Sequence, residues 1–581
     1  MQRSLLTGIA VAFVLAGITA AIVGCIPYER MQSAGALVRR ADDFTPDRFA
    51  RLRQVCWFFA LALPAIGVCA WRSRTTSRAA SLIQSATSAT VDGEDPHPQW
   101  ILWLILFVGS LLRLQRIADP VAYDEAYTYL NFASRPWYEA IGDYNSTNNH
   151  LLNTLLMHVS TRIFGPHEWA LRWHVLLAGC LLLWAAYAWA RDWFGKPTAL
   201  VTATAVAISP ALITYSTNAR GYVLVALAAI SFDRSLARIT LGPNPRAWWS
   251  AWATLVVGLC SMPLMMYPAI ASTGWFILLP IVERAGRVTF LQRLRTAAAM
   301  WALAVPAVGA FYSLAYVFRG LMFLNDPIMQ SASSDHYWMS LWDAWQGAFG
   351  WWTAGMFPPI IWLLLAIIGV WRFSDTAARI RWALPFLTVL ALNVVQHVAP
   401  PPRVYLHLAP WLFAACAFGL LSLLEKVRRL LRSSHRPEMY DATLAAAVLL
   451  IAGGAYAART PVLLYVSERS NFVSVPEVIT AVQQSASEHP DHRSILLAPL
   501  PCDLPSIFYL RRSGIELPVN ARPEPGDRVY LIARPGESPN QVLATPLLNM
   551  SDSADQFHPW HKIADFETLN LYESQFTRAD Q

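Results

Sequence analysis

Charge is scarce in this chain. Asp, Glu, Lys and Arg make up 14% of its 581 residues, while 55% are hydrophobic. A soluble globular protein carries about a quarter charged residues, so the composition argues against a soluble fold. Cysteine is sparse as well. Of the seven, Cys25, Cys56, Cys69, Cys180, Cys260 and Cys416 lie in apolar segments, where a thiol behaves as a small hydrophobe. Only Cys502 falls in a polar region, so that region forms no internal disulfide, and no Cys-x-x-Cys pair marks a metal site. The C-terminal region also lacks a glycine-rich phosphate loop. Positive charge is in slight excess, with a net charge of +7 and a pI of about 9.0. The Arg residues sit in short loops between apolar runs, which points to membrane topology and anionic lipid, not to nucleic acid.

What the chain has in abundance is apolar length and aromatic rings, which favour membrane interfaces: 25 Trp, 20 Tyr and 26 Phe. A spanning helix needs about 20 apolar residues. Thirteen segments qualify: 4–26, 54–71, 99–115, 168–190, 198–215, 221–239, 247–267, 268–283, 297–318, 355–372, 382–398, 404–424 and 441–458. Met262-Pro263 and Tyr267-Pro268 crowd the turn within the seventh and eighth. Arg284, Arg287, Arg293 and Arg295, then Arg372, Arg379 and Arg381, then Lys426, Arg428, Arg429, Arg432 and Arg436 mark cytoplasmic loops. Alternation then puts four regions outside: the loop after the third segment, the turn at Arg220, the loop at Arg403 and the C-terminal tail. Against the charge rule, the Arg-rich stretch from Tyr28 to Arg53 also falls outside, with Asp42, Asp43 and Asp47 offsetting part of its charge.

Three regions follow. Residues 1–98 form an accessory helix pair and a Ser/Thr/Ala-rich cytoplasmic linker. Ile22-Val23-Gly24-Cys25 resembles a lipoprotein signal, but a plain signal-anchor helix is the favoured reading. Residues 99–460 form the α-helical polytopic bundle. Residues 461–581 are richer in Pro, Asp, Glu and Arg, with strand-length apolar runs at 494–498, 528–532 and 569–572; they are expected to form a small extracytoplasmic α/β domain, accessory to any site in the bundle.

The densest cluster of chemistry lies in the first long external loop. Arg113 and Arg116 precede Asp119-Pro120-Val121-Ala122-Tyr123-Asp124-Glu125-Ala126-Tyr127, and Asn148-Asn149-His150-Leu151-Leu152 follows before an amphipathic helix. Adjacent carboxylates at a membrane surface are costly without a task or a partner. Two readings stand. One carboxylate takes the proton from an acceptor hydroxyl attacking an anomeric carbon, with cationic side chains meeting a leaving phosphate. In the other, Asp124 and Glu125 cap a surface helix. His150, Arg220 and Arg403 each carry the same choice, between a substrate or phosphate ligand and a solvated or snorkelling side chain. Asp335, His336, Tyr337 and Trp338 are either sugar contacts or interfacial anchors. His158, His167 and His174 are too widely spaced for a favoured metal site, and no cofactor is expected.

The order of short motifs narrows this choice. Asp124-Glu125, His150-Leu151, Phe164-Gly165, Ala170-Leu171-Arg172, Phe194-Gly195, Ser209-Pro210 and Asn218-Ala219-Arg220-Gly221-Tyr222 fall in sequence between residues 100 and 240, with Pro402-Arg403-Val404-Tyr405 much later. This series resembles the GT-C superfamily of polyprenyl-phosphate-sugar-dependent membrane glycosyltransferases, in particular the protein O-mannosyltransferase-like bacterial enzymes and the lipid A aminoarabinose transferase. The resemblance implies a plasma-membrane enzyme of the cell envelope with its site on the outer face. It implies an inverting transfer from a polyprenyl-phosphate sugar to a lipid, glycan or protein acceptor. Asp124 and Glu125 take the catalytic place, Asp124 as base and Glu125 in support. Asn149, His150, Arg172, Arg220, Tyr222, Arg403 and Tyr405 take the substrate-binding places. Two departures bear on the site: relatives often read His-Pro-Pro-Leu where this chain has Asn148-Asn149-His150-Leu151-Leu152, and Gly221 stands where many carry a larger residue. The rival classes are a transporter or lipid flippase and a non-catalytic scaffold. A transporter would show charges near helix centres and paired broken helices, and a scaffold needs no external acidic pair.

Overall fold

The computed structural model describes residues 2–35, 45–80, 99–144, 146, 148–242, 244–284, 286–320, 336–353, 359–373, 376–430 and 473–577. Among the described residues each expected segment up to residue 424 is mainly helical; the last, 441–458, lies outside the described residues, as do most of the linker before residue 98, residues 355–358 and Asp335. Among the described residues six helices are long and apolar enough to cross a membrane, and a seventh candidate is the pair Lys196–Ile208 and Pro210–Ser216, bent by 62°. The other expected spans are shorter or less apolar: Trp100–Leu114 has 15 residues and Pro359–Arg372 has 14. Among the described residues six or seven spans thus meet that test of length and composition, against about thirteen expected over the whole chain.

Local chemistry sets the ends of these helices. Gly165 and Gly195 close Leu151–Phe164 and Glu168–Phe194 with φ of 81° and 84°, a region that L side chains avoid, which explains the two Phe-Gly pairs. Pro245 opens Pro245–Ser261 behind an Asn244 cap that accepts from the Ala247 amide at 3.0 Å. The bend at Ser209-Pro210 has a cause and a remedy. Pro210 has no N–H to give to the preceding turn. Arg113, fully buried, fills the gap: its Nη2 donates to Val206 O at 3.1 Å and its Nη1 to Ala207 O at 3.0 Å, while Nε reaches Ser216 Oγ at 3.1 Å beyond the bend. Gly179 makes room, since a Cβ there would lie 2.1 Å from Ser216 Oγ. Gly369 and Gly419 similarly let Pro359–Arg372 and Ala409–Leu430 touch backbone to backbone.

The bundle has two chemically distinct ends. At one, Asp192 pairs with Arg234 Nε at 2.8 Å and Arg238 Nε at 3.1 Å. Beside it Arg381 pairs with buried Asp233 and lies 3.5 Å over the Trp193 ring and 4.2 Å over Trp275. Asp233 also accepts from Trp189 Nε1 at 2.8 Å and Ser272 Oγ at 3.1 Å, so one carboxylate ties four helices. The first long loop occupies the other end, where Arg319 pairs with Asp143. Arg51 belongs to that end too: its Nε donates to Val317 O at 2.8 Å, at the C-terminal turn of Arg287–Arg319. The Arg-rich stretch that defied the charge rule is thus matched by a helix terminus.

The tail forms a four-stranded sheet in the order β1-β2-β4-β3, from β1 Ser494–Leu497, β2 Arg528–Ala533, β3 His561–Asp565 and β4 Asn570–Gln575. The β1–β2 pair is parallel and the other two are antiparallel. β3 lies outside the strand-length runs. Side chains alternate between two cores. Ile495, Leu497, Val529 and Leu531 face one, with Val542, Leu543 and Phe557. Leu496, Tyr530, Ile532 and Leu571 face the other, beneath helices Val475–Glu488 and Asp503–Arg512. That second core is shared: Val121, Ala122, Ala126, Leu130, Ala133, Met157, Leu171 and Ala219 of the bundle complete it. The tail is therefore fused to the first long loop by a common apolar interior.

Candidate active site

The acidic loop folds as a short helix, Tyr123–Thr128, running into a π-turn at Tyr129–Ala133. Its two carboxylates face different surroundings. Glu125 is fully buried. Its Oε1 accepts from Arg172 Nε and its Oε2 from Arg172 Nη2, both at 2.7 Å; Oε2 also caps the Ala122 amide at 2.9 Å, and Oε1 takes the Ala219 amide at 2.8 Å. Arg172 uses its remaining N–H groups on the carbonyls of Ile117, Asp119 and Pro120. All five guanidinium hydrogens are thus engaged within the protein, and Arg172 has none left for a substrate. Glu125 and Arg172 lock three segments together: the loop at 117–125, helix Glu168–Phe194 and the turn at 218–221.

Asp124 is the accessible partner. Its side chain is 39% exposed and Oδ2 lies 3.3 Å from Arg220 Nη1. Arg220 is almost fully buried, and its Nε and Nη1 make no hydrogen bond by geometry. Nη1 has Asp124 as its ionic partner, and a buried Nε–H without an acceptor is costly in an apolar surround. The Tyr222 ring lies 5.7 Å from the guanidinium carbon. His150 sits alongside, edge-on to Tyr222 at 5.3 Å, and its Nδ1 accepts from the Gly221 amide at 2.8 Å. That bond puts the ring proton on Nε2. Burial, reinforced by the charges of Arg220 and Arg403, pushes the His150 pKa well below the ordinary histidine range, so the ring is neutral. Arg403, in the turn Pro402–Leu408, acts on both Arg220 and His150 through its charge.

Asp124, His150, Arg220 and Tyr222 thus meet at one place, with the charge of Arg403 felt there. Asn149 and Tyr405 are placed differently. Asn149 is buried, with Nδ2 on the carbonyls of Ala140 and Asp143 and Oδ1 accepting from Thr154 Oγ1 at 2.7 Å, so it shapes the loop from within. Tyr405 is buried against Trp345 and accepts from Asn393 Nδ2 at 2.8 Å. In the long external loop Tyr337 is also buried, its hydroxyl on Asn393 O, whereas Trp338 is exposed.

Several contributors are silent in the sequence. Asn153 donates to Ala219 O at 2.8 Å and meets His174 Nε2 at 2.8 Å through Oδ1, which holds the Arg220 turn from below. Asn148 Nδ2 donates to Asp124 O at 3.3 Å. Both are ordinary-looking amides; the departure Asn148-Asn149 is the one visible hint. Among the described residues no group of three or more His, Cys, Asp or Glu is gathered as for a metal ion.

Residues 151–311 match the family described as dolichyl-phosphate-mannose-protein mannosyltransferase. Among curated proteins no relative matches by sequence. Solved structures do match by fold. ArnT from Cupriavidus metallidurans bound to undecaprenyl phosphate aligns with a TM-score of 0.52 at 14% identity, covering 82% of this chain and 98% of that one. Its apo form aligns with a TM-score of 0.50 at 13% identity, covering 82% and 97%. The Archaeoglobus fulgidus oligosaccharyltransferase, in complex with Zn and sulfate, reaches a TM-score of 0.46 at 10% identity over 83% of this chain and 73% of its own. Over 151–311 this chain is thus similar in sequence to that mannosyltransferase family, and over 82% of its length it shares the fold of ArnT.

Proposed function

We propose that this protein is an inverting membrane glycosyltransferase that moves a sugar from a polyprenyl-phosphate carrier to a hydroxyl acceptor at the outer face. One observation carries the reading: an accessible carboxylate, Asp124, lies 3.3 Å from Nη1 of a buried guanidinium, Arg220. A base and an anion-binding group side by side are what displacement at a phosphate-bearing anomeric carbon requires. Asp124 takes the acceptor proton as the acceptor oxygen bonds to the anomeric carbon. The carbon–oxygen bond to phosphate breaks on the opposite side, and the electron pair leaves with the phosphate. Arg220 and Arg403 meet that growing charge, and neutral His150 supplies an Nε2–H donor. Glu125 acts through Arg172 as a positioning residue, since its four contacts leave it no proton to move. The undecaprenyl phosphate bound to the similarly folded ArnT supports a lipid-phosphate donor, and the mannosyltransferase family match supports glycosyl transfer.

The test is direct. Purified protein is incubated with a panel of polyprenyl-phosphate sugars and an extract of membrane acceptors, and released polyprenyl phosphate is measured. Release with one donor, lost in Asp124→Asn, is the expected result. No release with any donor, from a folded protein, would overturn the reading in favour of a transporter or scaffold.

A further inference from the structure

The shared core between the tail and the acidic loop has an orientation. At about 100° per residue, Ala122, Ala126 and Leu130 form one stripe of the Tyr123–Ala133 turns, and Asp124 lies about 200° round from Ala122. The stripe joins the apolar core it shares with the tail, next to helix Asp503–Arg512, and Asp124 faces the bundle at Arg220. Tail and bundle hold the same segment from opposite sides. The entry to that helix is fixed by two buried amides in succession. Ala122 N–H is held by Glu125, and Val121 N–H donates to the Tyr509 hydroxyl at 2.9 Å. Phe508 meets Tyr129, the first residue of the π-turn, edge-on at 5.4 Å. Arg512 pairs with Glu168 at the start of the helix that carries Arg172.

From this geometry we infer that the C-terminal sheet domain is a positioning element of the site, acting on Asp124 through Tyr509. The inference rests on Asp124 being the base. Without Tyr509 Oη the Val121 amide loses its acceptor inside an apolar core, and the segment that aims Asp124 loses its upstream anchor. Tyr509 touches no reacting atom; its effect passes through the backbone three residues before Asp124.

The experiment compares the full-length protein with Tyr509→Phe, which keeps the ring and removes the acceptor. Amide hydrogen exchange is followed over 119–133, with 175–190 of the bundle as internal reference. Turnover is counted per molecule that binds polyprenyl phosphate, so a misfolded fraction does not enter. The expected result is exchange about 2- to 10-fold faster, confined to 119–133, with turnover per bound site lower by about 10-fold. Wild-type exchange in the variant overturns the inference, as does faster exchange with unchanged turnover per bound site. If exchange rises in both regions the variant has unfolded, and Arg512→Gln is read by the same two criteria. A wild-type protein inactive on every donor sinks the enzymatic reading on its own, while the exchange result still decides whether the tail orders the segment.

Discussion

Glu125→Gln tests the division of labour between the two carboxylates. Both members of the Glu125–Arg172 pair are fully buried, and the carboxylate answers two guanidinium nitrogens and two backbone amides. Glutamine keeps the shape and one acceptor oxygen, but its NH2 group must face a donor, and Arg172 loses its counter-charge in a dry interior. Removing one member of a buried pair costs about 3–5 kcal/mol, because the remaining charge is uncompensated. In Glu125→Gln that cost falls on the junction of three segments, so the loss should appear as global instability. The assay is thermal or denaturant unfolding in a fixed detergent, with donor binding measured on the same preparation below the transition. Glu125→Gln should unfold much earlier than wild type, and what remains folded should retain measurable turnover. Arg172→Met should destabilise comparably, and Glu125→Gln/Arg172→Met together should cost less than the two singles added, since neither charge is then stranded. A Glu125→Gln protein that unfolds with wild type, or a double variant that simply sums the singles, would refute the structural role.

Other outcomes separate the remaining residues. Asp124→Asn should lower turnover by about 10²-fold or more, with a smaller stability loss than Glu125→Gln because Asp124 is partly exposed, although its partner Arg220 is buried. Arg403→Ala should weaken polyprenyl-phosphate binding about 10- to 100-fold, as expected for a lost charge-assisted contact, with turnover at saturation changed less. His150 is held neutral by burial and by Arg220 and Arg403, so below about pH 6.5 the unfolded chain binds a proton that the folded one refuses. Stability from this group is therefore full above that pH and declines as pH falls toward the depressed folded value. Between pH 7.5 and 5.5 the wild-type melting temperature should drop more than that of His150→Asn, and equal slopes would remove His150 as the cause. Gly179→Ala should cost about 1–3 kcal/mol by pushing on Ser216 and through it on Arg113; an unchanged melting temperature would show that the bend at Pro210 yields freely.

Much of this was legible in the chain because it is written in short-range signals. Apolar runs give the helices and Phe-Gly pairs their ends, while Arg381 sits at the end of the bundle away from Asp124 and Arg51 does not. Of the residues in the motif series, Asp124, His150, Arg220 and Tyr222 lie together. What could not be read is which polar groups consume one another. Arg172 and Arg220 are both arginines at helix ends beside an acid, yet one is saturated by Glu125 and three carbonyls, and the other pairs with a partly exposed Asp124 and leaves Nε without a hydrogen bond. That difference depends on the loop path from 117 to 125, which no spacing rule encodes. Arg113 looked like a charge at a helix end, but it repairs a break almost a hundred positions away. The tail was hidden for a related reason. Val478, Val482 and Phe508 look like the core of any small α/β domain, and nothing local says that residues 121–133 contribute to that core.

The same shared interior sets a timetable. Val121 and Tyr509 are 388 positions apart in the chain. At a synthesis rate of about 5–20 residues per second, the acidic segment exists for roughly 20–80 s before its anchor has been made. During that interval Val121, Ala126 and Leu130 are uncovered, although every short motif of the site is already in place. A chain halted before residue 475 would carry all the recognisable signatures of the site and still lack the surface against which it is built. Completion of the protein, and not the appearance of its motifs, is then the event that brings the site into being.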